Sequence, residues 1–255
     1  MIFCFSGTGN SLSIAKFLAA RLNERLAFIG ATSAVSSSDV GEATRLGFVF
    51  PVHAWGPPLV VEKFLKSLPI CEKADYVYVV LTCGDDVGRT PQILRRLLSC
   101  RGLQVHAVFS LQMRNTYVCL PFFNVDAPEL ERAKTRSAFN RLSSHVVPAI
   151  LARRPSVATD VVPGRFPRIK SHVLRPLFKR FLMAESRFHV SLSECNACGL
   201  CVSLCPLGNL RLSANRHPEW LGSCTHCLAC FHGCPHRAVS YGAFTRGKGR
   251  VKVIR

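Results

Sequence analysis

The chain opens MIFCFSGTGNSLSIAKFLAARLN (residues 1–23), and the reading of that stretch decides the fold. MIFCF (1–5) is a short apolar run of strand character. SLSIAKFLAARLN (11–23) repeats its apolar residues at helical spacing, with Leu12, Ala15, Leu18, Ala19 and Leu22 on one face. FSGTGNS (5–11) lies between them as a turn that carries two glycines. Strand, glycine turn and helix are the opening of a βα unit. The alternation continues down the chain. Strands are predicted within 25–31 and at 46–52, 76–83 and 103–111, and helices at 59–68, 90–100 and 127–152. Near-continuous apolar strands alternating with helices imply an α/β fold with a doubly wound parallel sheet covered on both faces.

A loop between the first strand and first helix of such a fold is where a phosphate is bound, on the free N–H groups of the helix start. Two nucleotide motifs are excluded. The dinucleotide fingerprint needs a third glycine where Leu12 stands, and the P-loop needs a Gly-Lys-Ser/Thr that is absent. What remains is Ser6, Thr8, Asn10 and Ser11, with no Lys or Arg before Lys16, so neutral donors and the helix dipole would hold the phosphate.

Beyond residue 152 the composition changes. Residues 153–167 are rich in Pro, Arg, Gly and Ser, as in a linker, and 171–184 read as a basic amphipathic helix. The net charge of +18 is unevenly spread: 12 Lys/Arg against 11 Asp/Glu in 1–131, 13 against 2 in 132–190, and 8 against 2 in 191–255. A basic segment of this kind calls for an acidic partner, a nucleic acid or an anionic surface, unless it is only a solvated connector.

The last part is organised by cysteine. CNACGLCVSLCP (195–206) and CTHCLACFHGCP (224–235) superpose at an offset of 29 residues, each reading C-x₂-C-x₂-C-x₃-C-P. One such run is the bacterial iron–sulfur signature, in which the fourth cysteine serves the other cluster. The spacing therefore predicts one [4Fe–4S] cluster on Cys195, Cys198, Cys201 and Cys234, and a second on Cys224, Cys227, Cys230 and Cys205. Zinc sites of four cysteines use two C-x₂-C pairs across a longer gap, which is a different pattern. With four thiolates for each cluster, His226, His232 and His236 read as ordinary surface residues. Cys4, Cys71, Cys83, Cys100 and Cys119 read as small buried residues.

No apolar stretch is long and uninterrupted enough to span a membrane. Leu46–Val61 comes nearest and is broken by Pro51, His53, Gly56, Pro57 and Pro58. The N-terminus lacks a basic flank followed by an apolar core, which predicts a cytoplasmic chain without a signal peptide. Structural disulfides are rare there.

The glycine loop resembles the FMN-phosphate loop of flavodoxins. The resemblance extends to PVHAWGPP (51–58) and TCGDDVGR (82–89), which follow the next two clear strands, where flavodoxins place their flavin-ring loops. It implies FMN bound by Ser6, Gly7, Thr8, Gly9, Asn10 and Ser11 at the phosphate. At the ring it implies His53, Trp55, Gly56, Thr82, Cys83, Gly84 and Asp85, with Trp55 and His53 as the ring contacts and Asp86 close by. Residues 190–243 resemble two-cluster bacterial ferredoxins, down to a strand after each Cys-Pro. The whole is similar to the EFR1-type ferredoxin family of anaerobes. The division implied is a flavodoxin-like FMN domain over 1–152, a basic connector over 153–187 and a small α+β two-cluster ferredoxin-like domain over 188–255. The implied function is electron transfer between FMN and the clusters, as a carrier or a small oxidoreductase with an organic acceptor, served by acidic redox proteins. The alternative is a nucleic-acid-binding protein with structural or sensory clusters. Its one support is the basic segment, which lacks the interleaved aromatics of a stacking platform.

Overall fold

A computed structural model of the chain describes residues 1–31, 40–69, 71 and 73–255. Five parallel strands form one sheet: β1 (Ile2–Cys4), β2 (Leu26–Phe28), β3 (Arg45–Pro51), β4 (Tyr76–Cys83) and β5 (Ala107–Gln112), in the order β2-β1-β3-β4-β5. That order, with flanking helices, is the flavodoxin-like topology, in which the order of strand addition reverses between β1 and β3. Helices α1 (Asn10–Leu22), α2 (Leu59–Ser67) and α3 (Thr90–Ser99) follow β1, β3 and β4.

Alternation along the strands divides the core into two layers. Phe3, Phe48, Phe50, Val79 and Leu81 point to one face, against Val61, Leu65 and Leu94 of the helices. Ile2, Val49, Tyr78, Val80 and Phe109 point to the other, against Ile14, Leu18 and Ile150. All of β4 is buried, which explains why its sequence shows no polar alternation.

Strand β5 starts four residues later than the apolar run suggests. Leu103 and Val105 are buried, but the ladder begins at Ala107, because the ring of His106 accepts the Val77 N–H at 3.0 Å. The long helix of 127–152 is α4 (Pro128–Arg141) and α5 (Val147–Leu151), joined by a π-helical turn at Leu142–Val146. The connector helix is built likewise, from α6 (Pro167–Ile169), a π turn (Lys170–Leu174) and α7 (Arg175–Phe181). Each π turn lies just before a proline, Pro148 or Pro176. A proline ring clashes with the carbonyl four residues earlier, and a widened turn relieves that clash.

The cysteine-rich part has two short antiparallel pairs, β6 (Phe188–Val190) with β9 (Val239–Tyr241) and β7 (Leu210–Leu212) with β8 (Pro218–Trp220). Each cysteine run contains a five-residue helix, α8 (Leu200–Leu204) or α9 (Ala229–Gly233). Its core includes Phe188, Leu210, Phe231 and Tyr241, and it takes Val118 and Cys119 from the segment after β5. The Ala31 N–H donates to the Pro206 carbonyl at 3.0 Å, and His232 Nε2 lies 2.7 Å from the Thr116 carbonyl oxygen.

Candidate functional site

The two cysteine runs repeat in backbone as well as in sequence. Left-handed residues stand at Ala197 and His226, at Gly199 and Leu228, and at Gly208 and Arg237, each pair 29 positions apart. Left-handed φ costs a non-glycine residue roughly 1–2 kcal/mol. Its recurrence at Ala197, His226 and Leu228 shows a chain held to a curve that extended or helical backbone cannot follow.

This curvature forms two hollows. One is lined by Cys195, Cys198, Cys201 and Cys234, and the other by Cys205, Cys224, Cys227 and Cys230. Each takes three cysteines from one run and the last cysteine of the other. Cys198 is exposed, whereas no cysteine of the second hollow is, and Phe188, Leu210 and Trp220 also line that hollow. Backbone N–H groups reach two sulfurs: Asn209 N lies 3.2 Å from Cys205 Sγ, and His226 N lies 3.3 Å from Cys224 Sγ. Burial pushes the thiols of Cys201 and Cys224 up to about 11 and that of Cys227 up to about 12, so thiolates here need a cationic centre beside them. Among the described residues, no three His, Cys, Asp or Glu side chains converge on one metal ion. Sulfurs that each hold a separate iron of a cubane need not converge in that way. The donor set, its closure and its N–H···S contacts fit such a group.

A second cavity, of about 390 Å³, opens at the carboxyl ends of the strands. Asn10, His53, Trp55, Thr82, Cys83, Gly84 and Asp85 line it. Ser6, Gly7, Thr8, Gly9, Ser11 and Gly56 do not. Ser6 Oγ accepts the Gly9 N–H at 3.1 Å, and the Ser11 hydroxyl bonds Thr82 Oγ1 at 2.7 Å. Thr8 is buried, and its carbonyl accepts the N–H of Ile254 at 3.1 Å. Gly9 has φ +108°, and a Cβ there would stand 2.4 Å from that of Ile254. The carboxyl-terminal tail thus covers the glycine loop. Gly56 makes room for Arg175, whose guanidinium bonds the carbonyl oxygens of His53 and Pro57 and pairs with Glu62.

Much of the remaining lining lay outside the sequence reading, though Asp86 did not. Arg114, just beyond β5, donates Nε to Asn10 Oδ1 at 3.1 Å and Nη2 to the Thr8 carbonyl at 3.2 Å, so a cation does stand against the loop. Its position after a strand end was the available signal. Tyr117, Phe123 and Phe178 add aromatic walls. Lys170 pairs with Asp86 at 2.5 Å and lies 5.5 Å from the Trp55 ring centre. His226 and His232, read as surface residues, are buried, while Cys100, read as buried, is exposed. Three buried polar atoms of the wall lack any hydrogen-bond partner: His53 Nδ1, Tyr117 Oη and His226 Nε2. Burial first, then the charge of Arg175, pushes the His53 imidazole down to about 4, and it is neutral near pH 7. Burial, with the nearby Asp86 and Asp85, pushes the Cys83 thiol up to about 12, which leaves it an inert thiol. An aromatic cavity with unsatisfied polar atoms fits a planar, polar-edged ligand such as a flavin ring.

No protein-family profile and no curated protein matches the chain. Solved structures similar to it include the rubredoxin oxygen:oxidoreductase of the anaerobe Desulfovibrio gigas, at 16% identity and TM-score 0.38, over 60% of this chain and 36% of that one. The chain thus spans about a third of that protein's length. The Trp repressor binding protein of Bacillus subtilis (14% identity, TM-score 0.39) is covered over 56% of this chain and 96% of that one. A flavodoxin, WrbA-like protein of Agrobacterium tumefaciens (17% identity, TM-score 0.36) is covered over the same 56% and 96%. The class, an α/β unit of flavodoxin-like topology, rests on the strand order.

Proposed function

We propose that the chain is a flavo-iron–sulfur electron-transfer protein, with a flavodoxin-like FMN domain over 1–152, a connector over 153–187 and a two-cluster ferredoxin-type module over 188–255. The observation that carries this reading is the pair of cysteine hollows, each drawing on both runs, with Cys227 of the second pressed against Gly7 of the glycine loop. FMN exchanges one or two electrons and a cubane one, so the three groups together would join two-electron to one-electron partners.

The chain's own residues would do the following. Cys195, Cys198, Cys201 and Cys234 hold one cluster, and Cys205, Cys224, Cys227 and Cys230 the other. Asn10, the one residue of the glycine loop that reaches the cavity, would border the flavin phosphate with Arg114 behind it, and His53, Trp55 and the 82–85 turn would border the ring. Phe188 and Trp220 keep water from the inner hollow. The exposed edge at Cys198, with the exposed Arg237 and Arg211 on the same module, suits an acidic redox protein. The breadth of the cavity leaves room for a small organic acceptor beside a flavin. No helix among the described residues is long and apolar enough to cross a membrane. Cysteines kept as cluster ligands suit the reducing cytoplasm.

Anaerobic purification with iron, sulfide and flavin analysis tests the reading. About eight irons, eight sulfides and one FMN per chain are expected from two four-cysteine cubane sites and one flavin loop. Stoichiometric zinc without sulfide would overturn the cluster assignment.

A further inference from the structure

The helix from Pro167 to Phe181 has its polarity reversed. The side turned to the protein carries Ser171, which bonds the Arg89 N–H, together with Arg175 and Lys179, which reach Glu62. The side turned to solvent carries Phe166, Ile169, Val173, Leu174, Leu177 and Phe181, each 42–64% exposed. A helix on a soluble domain ordinarily shows the opposite arrangement. Packing against the protein does not explain the outward apolar strip, because the strip touches solvent.

Charge identifies what would cover it. No Asp or Glu occurs between Val161 and Ala184. Arg165, Arg168 and Arg180 border the strip, and none has a carboxylate partner among the described residues. Arg165 lies 5.6 Å from the ring centre of Phe166 and Arg180 5.6 Å from that of Phe181, one such pair at each end. A helix of this length spans only about 22 Å. One face of it falls well short of the roughly 800 Å² per partner that a stable protein interface needs. A lipid surface has no such area requirement. Apolar side chains enter the headgroup boundary while arginines meet the phosphates.

We propose that this face docks the protein, lying in the plane of the interface, on an anionic bilayer surface. The proposal uses no cofactor and is independent of the redox reading. A further exposed aromatic, Phe122, stands beside Phe123, which packs on Tyr117, which in turn packs on Phe178 of the same helix.

The test is co-sedimentation of the full chain with vesicles of phosphatidylcholine and phosphatidylglycerol in equal parts, against vesicles of phosphatidylcholine alone. Binding to the anionic vesicles, weakened by salt and much poorer on the neutral ones, is expected. Val173→Glu with Leu177→Glu should abolish it at unchanged iron and flavin content. Arg165→Glu, Arg168→Glu and Arg180→Glu should each weaken it by about fivefold or more. Val173→Ser with Leu177→Ser separates lost apolar contact from added charge, and it too should release the protein. Failure of the wild type to bind anionic vesicles would overturn the proposal, as would binding that survives all these changes. Self-association in sedimentation velocity that Val173→Ser with Leu177→Ser abolishes, without vesicle binding, would assign the face to a second copy of the chain instead.

Discussion

Gly7 and Cys227 are in direct contact: a Cβ placed on Gly7 would stand 2.6 Å from Cys227 Cβ and 3.3 Å from its sulfur. The glycine loop of the sheet and the inner cysteine hollow therefore meet at van der Waals distance, and the absence of one side chain makes this possible.

Gly7→Ala should separate them. An added Cβ would meet first the Cβ and the carbonyl oxygen of Cys227, neither free to swing away. A loss of about 1–3 kcal/mol is expected from overpacking, with iron lost under mild denaturant before the sheet unfolds. Gly41→Ala, where no described residue lies within 4 Å, is the control and should be neutral or slightly stabilising in the same titration. Equal behaviour of the two would remove the significance of the contact.

The two hollows make a crossed prediction about single cysteines. Cys205→Ala should damage the cluster of Cys224, Cys227 and Cys230, although Cys205 belongs to the other run. Cys234→Ala should damage that of Cys195, Cys198 and Cys201. Low-temperature electron paramagnetic resonance of the reduced variants, with iron counts, distinguishes crossed from uncrossed ligation.

Arg175 sits in the basic connector yet is buried and paired with Glu62. Its removal should cost about 1–3 kcal/mol, because the carbonyl oxygens of His53 and Pro57 lose their donor while Glu62 keeps only Lys179. Arg168→Glu, on the exposed side, should change stability by less than about 0.5 kcal/mol. Urea unfolding of Arg175→Met and Arg168→Glu checks the contrast.

His53 should make stability fall in acid. Its pKa is about 4 in the folded chain against 6.5 unfolded, so between those values the unfolded chain binds more protons. The contribution is complete above pH 6.5 and is lost as pH falls toward 4. The slope from one proton is about 1.4 kcal/mol per pH unit. Unfolding of His53→Gln should be less steep across that window, and an unchanged profile would show that the imidazole reaches water.

Asn10→Ala should weaken FMN more than riboflavin. Asn10 lines the cavity and fixes Arg114, with its Nδ2 donating to the Arg114 carbonyl at 3.0 Å, so the change loosens the cationic end of the site. Isothermal titration of both ligands into flavin-free protein measures the difference. Equal weakening would place the phosphate elsewhere.

Much of this was legible in the residues. Near-continuous apolar runs alternating with helices at a period of 3.6 indicated the parallel sheet because both faces of it are buried, and the offset of 29 announced two equivalent turns of chain around two centres. Periodicity also located the connector helix, within a few residues. Which side of that helix faces inward was a tertiary matter. An apolar stripe ordinarily points to the core. Here Glu62, 113 residues from Arg175 in sequence, offers a half-buried partner that turns the basic side inward. The π turn before Pro176 adds a residue and so rotates the two halves by roughly 100° relative to a continuous α-helix. Arg114 meets Asn10 across 104 residues, and Ile254 seals a loop at the opposite end of the chain. Local sequence encodes propensity and spacing. Contacts of this separation form only when the sheet and the cysteine module have closed on each other, since the charge, the carbonyl and the missing side chain that make each one favourable lie on different elements.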